Sequence, residues 1–264
     1  MRKKKDSNRL TFAEHIDALR FMLCKIVIVV TVLSIVVFCF KDTTFSILFA
    51  PKDWQFITYR LMEDIVNSMG ISFRFAPYKV DLISTELSAQ FMTHISTSMY
   101  LGLLLASPYI LFELFRFVMP ALYKNEKRAS IVVAISMYLL FAVGVFMNYY
   151  IIFPISFRFL GTYQVAENIA NTITLSSYIK TFSTLTFVLG LIFQLPVAAF
   201  ILAKMNVLTV DFLRHYRRHA FVAVLVVSAI ITPPDVFTLI LVSLPMYLLY
   251  ECCILIVART KAKV

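Results

Sequence analysis

Phe117-Val118-Met119-Pro120-Ala121-Leu122-Tyr123-Lys124-Asn125-Glu126-Lys127-Arg128 is a short polar break between two long apolar runs. Upstream, residues 87–118 form a long, predominantly apolar run interrupted by Pro108; downstream, residues 130–152 are apolar again. A run of about 20 such residues crosses a hydrocarbon core. The break therefore reads as a loop at a membrane face. It holds one carboxylate, Glu126, among Arg116, Lys124, Lys127 and Arg128.

The same alternation extends in both directions. The 264 residues are 60% hydrophobic and only 15% charged, with mean hydropathy +0.83. A soluble chain carries about 25% charged residues. Long unalternating runs exclude barrel strands, and lipid offers no partner to a free backbone N–H or C=O. The expected fold is an all-α polytopic membrane protein, one integral membrane domain of six transmembrane helices: 21–40, 87–118, 130–152, 177–203, 220–232 and 236–250. The last two are expected to be short. Thirteen residues rise roughly 20 Å, against a core of about 30 Å; residues 252–258 could extend the sixth. Residues 1–20 read as a basic tail and an amphipathic helix start, with Thr11 and Glu14 in capping-box spacing. Ile16, Leu19 and Leu23 share one helix face. No small-residue cleavage site follows the first run, which is read as an uncleaved helix.

Charge sets the expected orientation. With both termini inside, the cytoplasm receives seven basic residues in the N-terminal region, four in the loop 119–129 and its flanks, four in 204–218 and three at the C-terminus, eighteen of the 25. The outer segments 41–86 and 153–176 and their flanks hold the other seven. This asymmetry predicts an N-in, C-in topology, with 41–86 and 153–176 as periplasmic loops. Residues 59–69 read as a short amphipathic helix stopped by Gly70.

Several function classes are set aside by composition. The net charge of +10 is spread over span ends, which argues against nucleic acid. Cys24, Cys39, Cys252 and Cys253 form no CxxC and lie in the first span and in the apolar stretch that could extend the sixth, so neither metal nor redox cofactor is expected. No HExxH, GxSxG or phosphate-binding loop occurs, and the chain is not expected to be an enzyme. A secondary transporter or channel for small solutes is the alternative. It would show repeats and several midplane charges, whereas only Gln194 reads as strongly polar at depth.

Four stretches carry a resemblance: Phe12-Ala13-Glu14-His15-Ile16-Asp17-Ala18-Leu19-Arg20; Phe117 to Arg128; Phe193-Gln194-Leu195-Pro196-Val197; and Thr232-Pro233-Pro234-Asp235-Val236-Phe237 with Leu244-Pro245-Met246-Tyr247. In these the chain resembles TatC, the polytopic subunit of the twin-arginine protein translocase. The resemblance implies a receptor for signal peptides with two consecutive arginines, and a core for export of folded proteins across the cytoplasmic (inner) membrane. It implies TatA- and TatB-type single-span partners, homo- and hetero-oligomers, and transport driven by the proton motive force.

The residues fit that chemistry unevenly. Arginine binds carboxylate in a two-pronged geometry, so Glu126 is the leading arginine-binding group; the plainer alternative is a surface salt bridge within its own loop, worth little. Phe117 offers an apolar contact, and Pro120 and Tyr123 shape the loop. The resemblance implies an acid where Ala18 stands in many family members. Asp17, helped by Glu14, is the expected substitute, with Leu19 and Arg20 beside it; Glu14 is otherwise only a cap. Gln194 stands where many members have glutamate and cannot ionise; it serves a partner helix or a clasp between helices. Thr232 is a candidate contact for a partner. Asp235 most simply caps the last helix, and Glu251 could pair with Arg259.

Overall fold

The computed structural model describes residues 12–122, 127–164, 166 and 171–261, and side chains for 16–117, 131–164, 166 and 171–260. About 81% is helical. The first helix, α1 (Phe12–Cys39), starts directly after Thr11 and runs 28 residues. Its outward face is large and apolar: Val27, Ile28 and Ile35 are each about 60% exposed. A turn at Phe40 leads to α2 (Lys41–Phe49) and a 3-10 turn, Ala50–Lys52, with Pro51 buried. The expected amphipathic helix is α3 (Ile57–Ser68), ended by Gly70 at φ +82°, a conformation open to a residue without Cβ.

α4 (Ala89–Leu122) is continuous through Pro108 and carries Pro120 in its last turn. Its 34 residues span about 51 Å. α5 (Lys127–Met147), a π turn (Asn148–Ile152) and α6 (Phe153–Thr162) form one apolar rod. The sequence reading ends this span at Ile152. The helix continues through Pro154 because the π turn immediately before it takes up the irregular hydrogen bonding that the missing N–H imposes. α7 (Leu175–Ile192) and α8 (Leu195–Lys204) make the next span, broken at Phe193-Gln194. Pro196 explains the break: its ring would clash with the carbonyl four residues back.

α9 (Val210–His215), α10 (Arg217–Ile231) and α11 (Val236–Lys261) complete the chain. One expectation fails here. The last helix is not short: α11 runs 26 residues, unbroken through Pro245 and Glu251. The Glu251 carboxylate does not end the helix because Arg217 (2.6 Å) and the Tyr247 hydroxyl (3.2 Å) hold it; the partner is Arg217 rather than Arg259. α10 is short as expected, at 15 residues. Among the described residues, five helices are long and apolar enough to cross a membrane: 16–39, 89–117, 131–162, 175–204 and 236–260. At most 44% of each apolar window is buried within the chain, so the remainder is built to face lipid.

The packing brings distant segments together. α1 lies along α4, α5 against α7, and α11 against α8 and α10. The backbones nearly touch at small residues: a Cβ on Gly102 would clash with Ser34 Oγ, and one on Gly144 would sit 2.8 Å from the Leu189 carbonyl. Small residues permit such close helix approach in membranes. The core joins Leu48, Ile152, Phe153, Phe157, Tyr178, Phe182, Leu185, Val242 and Met246. Segments 41–86 and 153–176 meet in a short strand pair: β1 (Leu82–Ile83) and β2 (Ile173–Thr174) run parallel, Leu82 opposite Ile173.

Candidate functional site

The candidate receptor face is the end of α4 that leads into the break. Phe115 is buried there with Val133 of α5 and Val197 of α8, which fixes the end of α4 on two other helices. α1 approaches antiparallel. Ser34 meets Gly102, and Phe38 stacks on His94 with ring centroids 4.1 Å apart. About three turns further along both helices, Met22 of α1 and Glu113 of α4 are buried, 5% and 7% exposed. One turn beyond them come Ala18 and Phe117. The stripe that continues Met22 toward α4 thus passes through Ala18, with Asp17 turned about 100° away.

Asp17, Leu19 and Arg20 are exposed, and neither Asp17 nor Arg20 makes an ion pair among the described residues. Phe117 is half-buried. Pro120 belongs to the last helical turn of α4 rather than to a loop. Glu126 and Tyr123, and the side chains of Glu14 and Pro120, lie outside the described residues.

The polar residues named at depth are each bound locally. Gln194, at the α7–α8 break, donates from Nε2 to the Met137 carbonyl of α5 at 2.9 Å. It is a clasp between helices, as one of its two expected roles required. Its Oε1 is buried with no partner among the described residues, so an acceptor remains for a donor from elsewhere. Thr232 is buried and donates to the Ser228 carbonyl at 2.8 Å. Asp235 Oδ1 accepts the Thr238 N–H at 2.6 Å and caps α11. Among the described residues no hydrogen bond or ion pair links these three side chains to one another.

Sequence reasoning missed Glu113. This carboxylate sits inside the second apolar run; the Tyr109 hydroxyl donates to Oε1 at 3.2 Å, and Arg116 Nη1 lies 3.9 Å from the same oxygen. The available signal was its spacing, four residues after Tyr109, three before Arg116 and four before Phe117, which puts all four on one helix face.

The family model for the Sec-independent protein translocase protein (TatC) matches residues 14–245. The chain belongs to the TatC family. It is 32% identical over 257 residues to the TatC of Blattabacterium sp. subsp. Periplaneta americana, covering 96% of this chain and 97% of that protein. It is 31% identical over 251 residues to the TatC of Desulforapulum autotrophicum, covering 95% and 85%. A crystal structure of the twin-arginine translocase receptor TatC superposes with a TM-score of 0.75 at 30% identity, over 94% of this chain and 99% of that one. The TatC match runs from Glu14 through Pro245 and so includes every candidate residue. As a TatC, the chain is a multi-pass membrane component of a protein translocase, and the α1–α4 junction is a structured part of it.

Proposed function

We propose that this chain is the signal-peptide receptor and core subunit of a twin-arginine translocase, exporting folded proteins with energy from the proton motive force. The observation that carries the reading is the TatC match across residues 14–245 together with the 0.75 superposition on a twin-arginine translocase receptor. The alternative of a small-solute transporter has no support from these likenesses. In this reading Glu126 binds a signal-peptide guanidinium, with Phe117, Pro120 and Tyr123 shaping its surroundings, and Asp17, Glu14, Leu19 and Arg20 flank it from α1. Gln194, Thr232 and Asp235 face TatA- and TatB-type partners, with the buried Gln194 Oε1 as the waiting acceptor. The protein lies in the cytoplasmic membrane with both termini inside, α10 being the sixth crossing. Residues 41–86 and 153–176 are periplasmic, 119–129 and 204–218 cytoplasmic. It binds and orients cargo and catalyses no covalent step.

The test is export of a twin-arginine reporter in a strain lacking its own TatC, with the cognate single-span partners co-expressed. Export should appear, and should vanish when both signal arginines become lysine or when Glu126→Ala is introduced. A well-expressed protein that never restores export overturns the reading.

A further inference from the structure

We propose that Glu113 is a second guanidinium-binding carboxylate of the signal-peptide site, held meanwhile by Arg116 as a resident stand-in; this rests on the receptor reading above. Two adjacent arginines present two guanidinium groups, and one carboxylate satisfies only one of them in two-pronged geometry. Glu113 lies one turn before Phe117, at the end of α4 that the receptor reading assigns to the arginines. It is 7% exposed, and a carboxylate there is retained only if a donor or cation holds it.

The hold is loose. Tyr109 and Arg116 both reach Oε1, and the Arg116 approach of 3.9 Å exceeds hydrogen-bond length. The Arg116 side chain is 64% exposed against 9% for that of Glu113. The arginine can therefore swing out into solvent, while the carboxylate stays where it is. An incoming signal arginine exchanges like for like, and the buried carboxylate is never left unpaired, the state that makes breaking a buried pair costly. Across the junction, Ala18 and Met22 of α1 bring no competing charge, and the exposed Asp17 is turned aside.

The experiment measures binding of a signal peptide to the full-length protein in nanodiscs, using four peptides: Arg-Arg, Lys-Arg, Arg-Lys and Lys-Lys. If the wild type binds Arg-Arg no more tightly than Lys-Lys, the receptor reading itself fails. If it does discriminate, Glu113→Gln should weaken Arg-Arg binding by about tenfold, the scale of one charge-assisted hydrogen-bonded contact. It should also abolish discrimination at one of the two arginine positions while leaving the other intact. Arg116→Gln should tighten Arg-Arg binding severalfold, and should do so only when Glu113 is present. Equal weakening for all four peptides, no weakening, or tightening by Arg116→Gln that persists without Glu113 each overturns the proposal. Should Glu113→Gln fail to insert, Glu113→Asp, with the charge retracted by one methylene, must show a smaller loss at the same single position.

Discussion

Arg158 shows how one side chain can anchor a whole segment. It projects from α6, and its guanidinium lies over Phe75 (4.4 Å to the ring centre), Tyr78 (4.8 Å) and Tyr59 (5.3 Å). Its Nη2 donates to the Ala76 carbonyl at 2.9 Å. Beside it Tyr59 donates to the Pro154 carbonyl at 2.7 Å and lies 3.1 Å from the Tyr78 hydroxyl, while Thr58 bonds the Tyr150 carbonyl. Cation–π contacts contribute about 0.5–2 kcal/mol each depending on desolvation. Arg158→Ala should therefore release residues 71–79, seen as faster amide exchange and proteolysis there, with the spans unchanged; an unchanged exchange rate would count against the anchor. Burial pushes the Tyr59 hydroxyl well above its ordinary range; burial likewise raises Tyr78. A raised folded value means that the neutral phenol is favoured in the fold. The stabilisation is fully present below the unfolded value of about 10 and is lost as pH climbs above it. Protection of this segment should be flat from neutral pH to about pH 9 and fall above pH 10, and Tyr59→Phe should remove part of that fall.

At the scale of elements, the α1–α4 pair decides whether the candidate site exists at all. Ser34 and Gly102 meet so closely that an added Cβ would lie 2.7 Å from the Ser34 Cα and would clash with its Oγ as well. Gly102→Ala must push the helices apart, costing about 1–3 kcal/mol as overpacking. Thermal unfolding followed by size exclusion should show a lowered transition. Adding Ser34→Gly should recover only part of it, because the backbone half of the clash remains; full recovery would mean that the hydroxyl alone sets the spacing. Much of this layout was legible beforehand. The apolar runs, the amphipathic α3 with its Gly70 stop and the cap at Asp235 follow from local patterns. The continuation of α11 past Glu251 stood in the sequence only as one possibility, because a carboxylate ends an apolar run unless its partner, here Arg217, is known. The continuation through Thr162 was hidden in the same way by Pro154 and the π turn.

At the scale of the whole molecule, α10 is the element whose placement matters most. Its 15 residues span about 22 Å, short of a core of about 30 Å, so as a sixth crossing it requires local thinning of the bilayer. In a background lacking the four native cysteines, a cysteine at Pro234 should react with a membrane-impermeant thiol reagent added from outside, and one at Asn206 should not. Labelling at both or at neither would overturn the six-crossing, N-in arrangement.

By itself the sequence determined the membrane class, the position of the apolar runs and polar breaks, the charge asymmetry and the resemblance to TatC. These are local sums over about 20 residues or short motifs, and they survive without knowledge of packing. Only the tertiary structure decided which polar groups are held and by what. The bond from Gln194 to Met137, the ring cluster around Arg158 and the pairing of Leu82 with Ile173 join residues far apart in the chain. The free energy of such a contact belongs to a pair, and neither member carries a mark in the sequence that names the other. For the break at Phe117–Arg128, sequence drew attention to Glu126, and the fold drew attention to Glu113, buried one helical turn before Phe117.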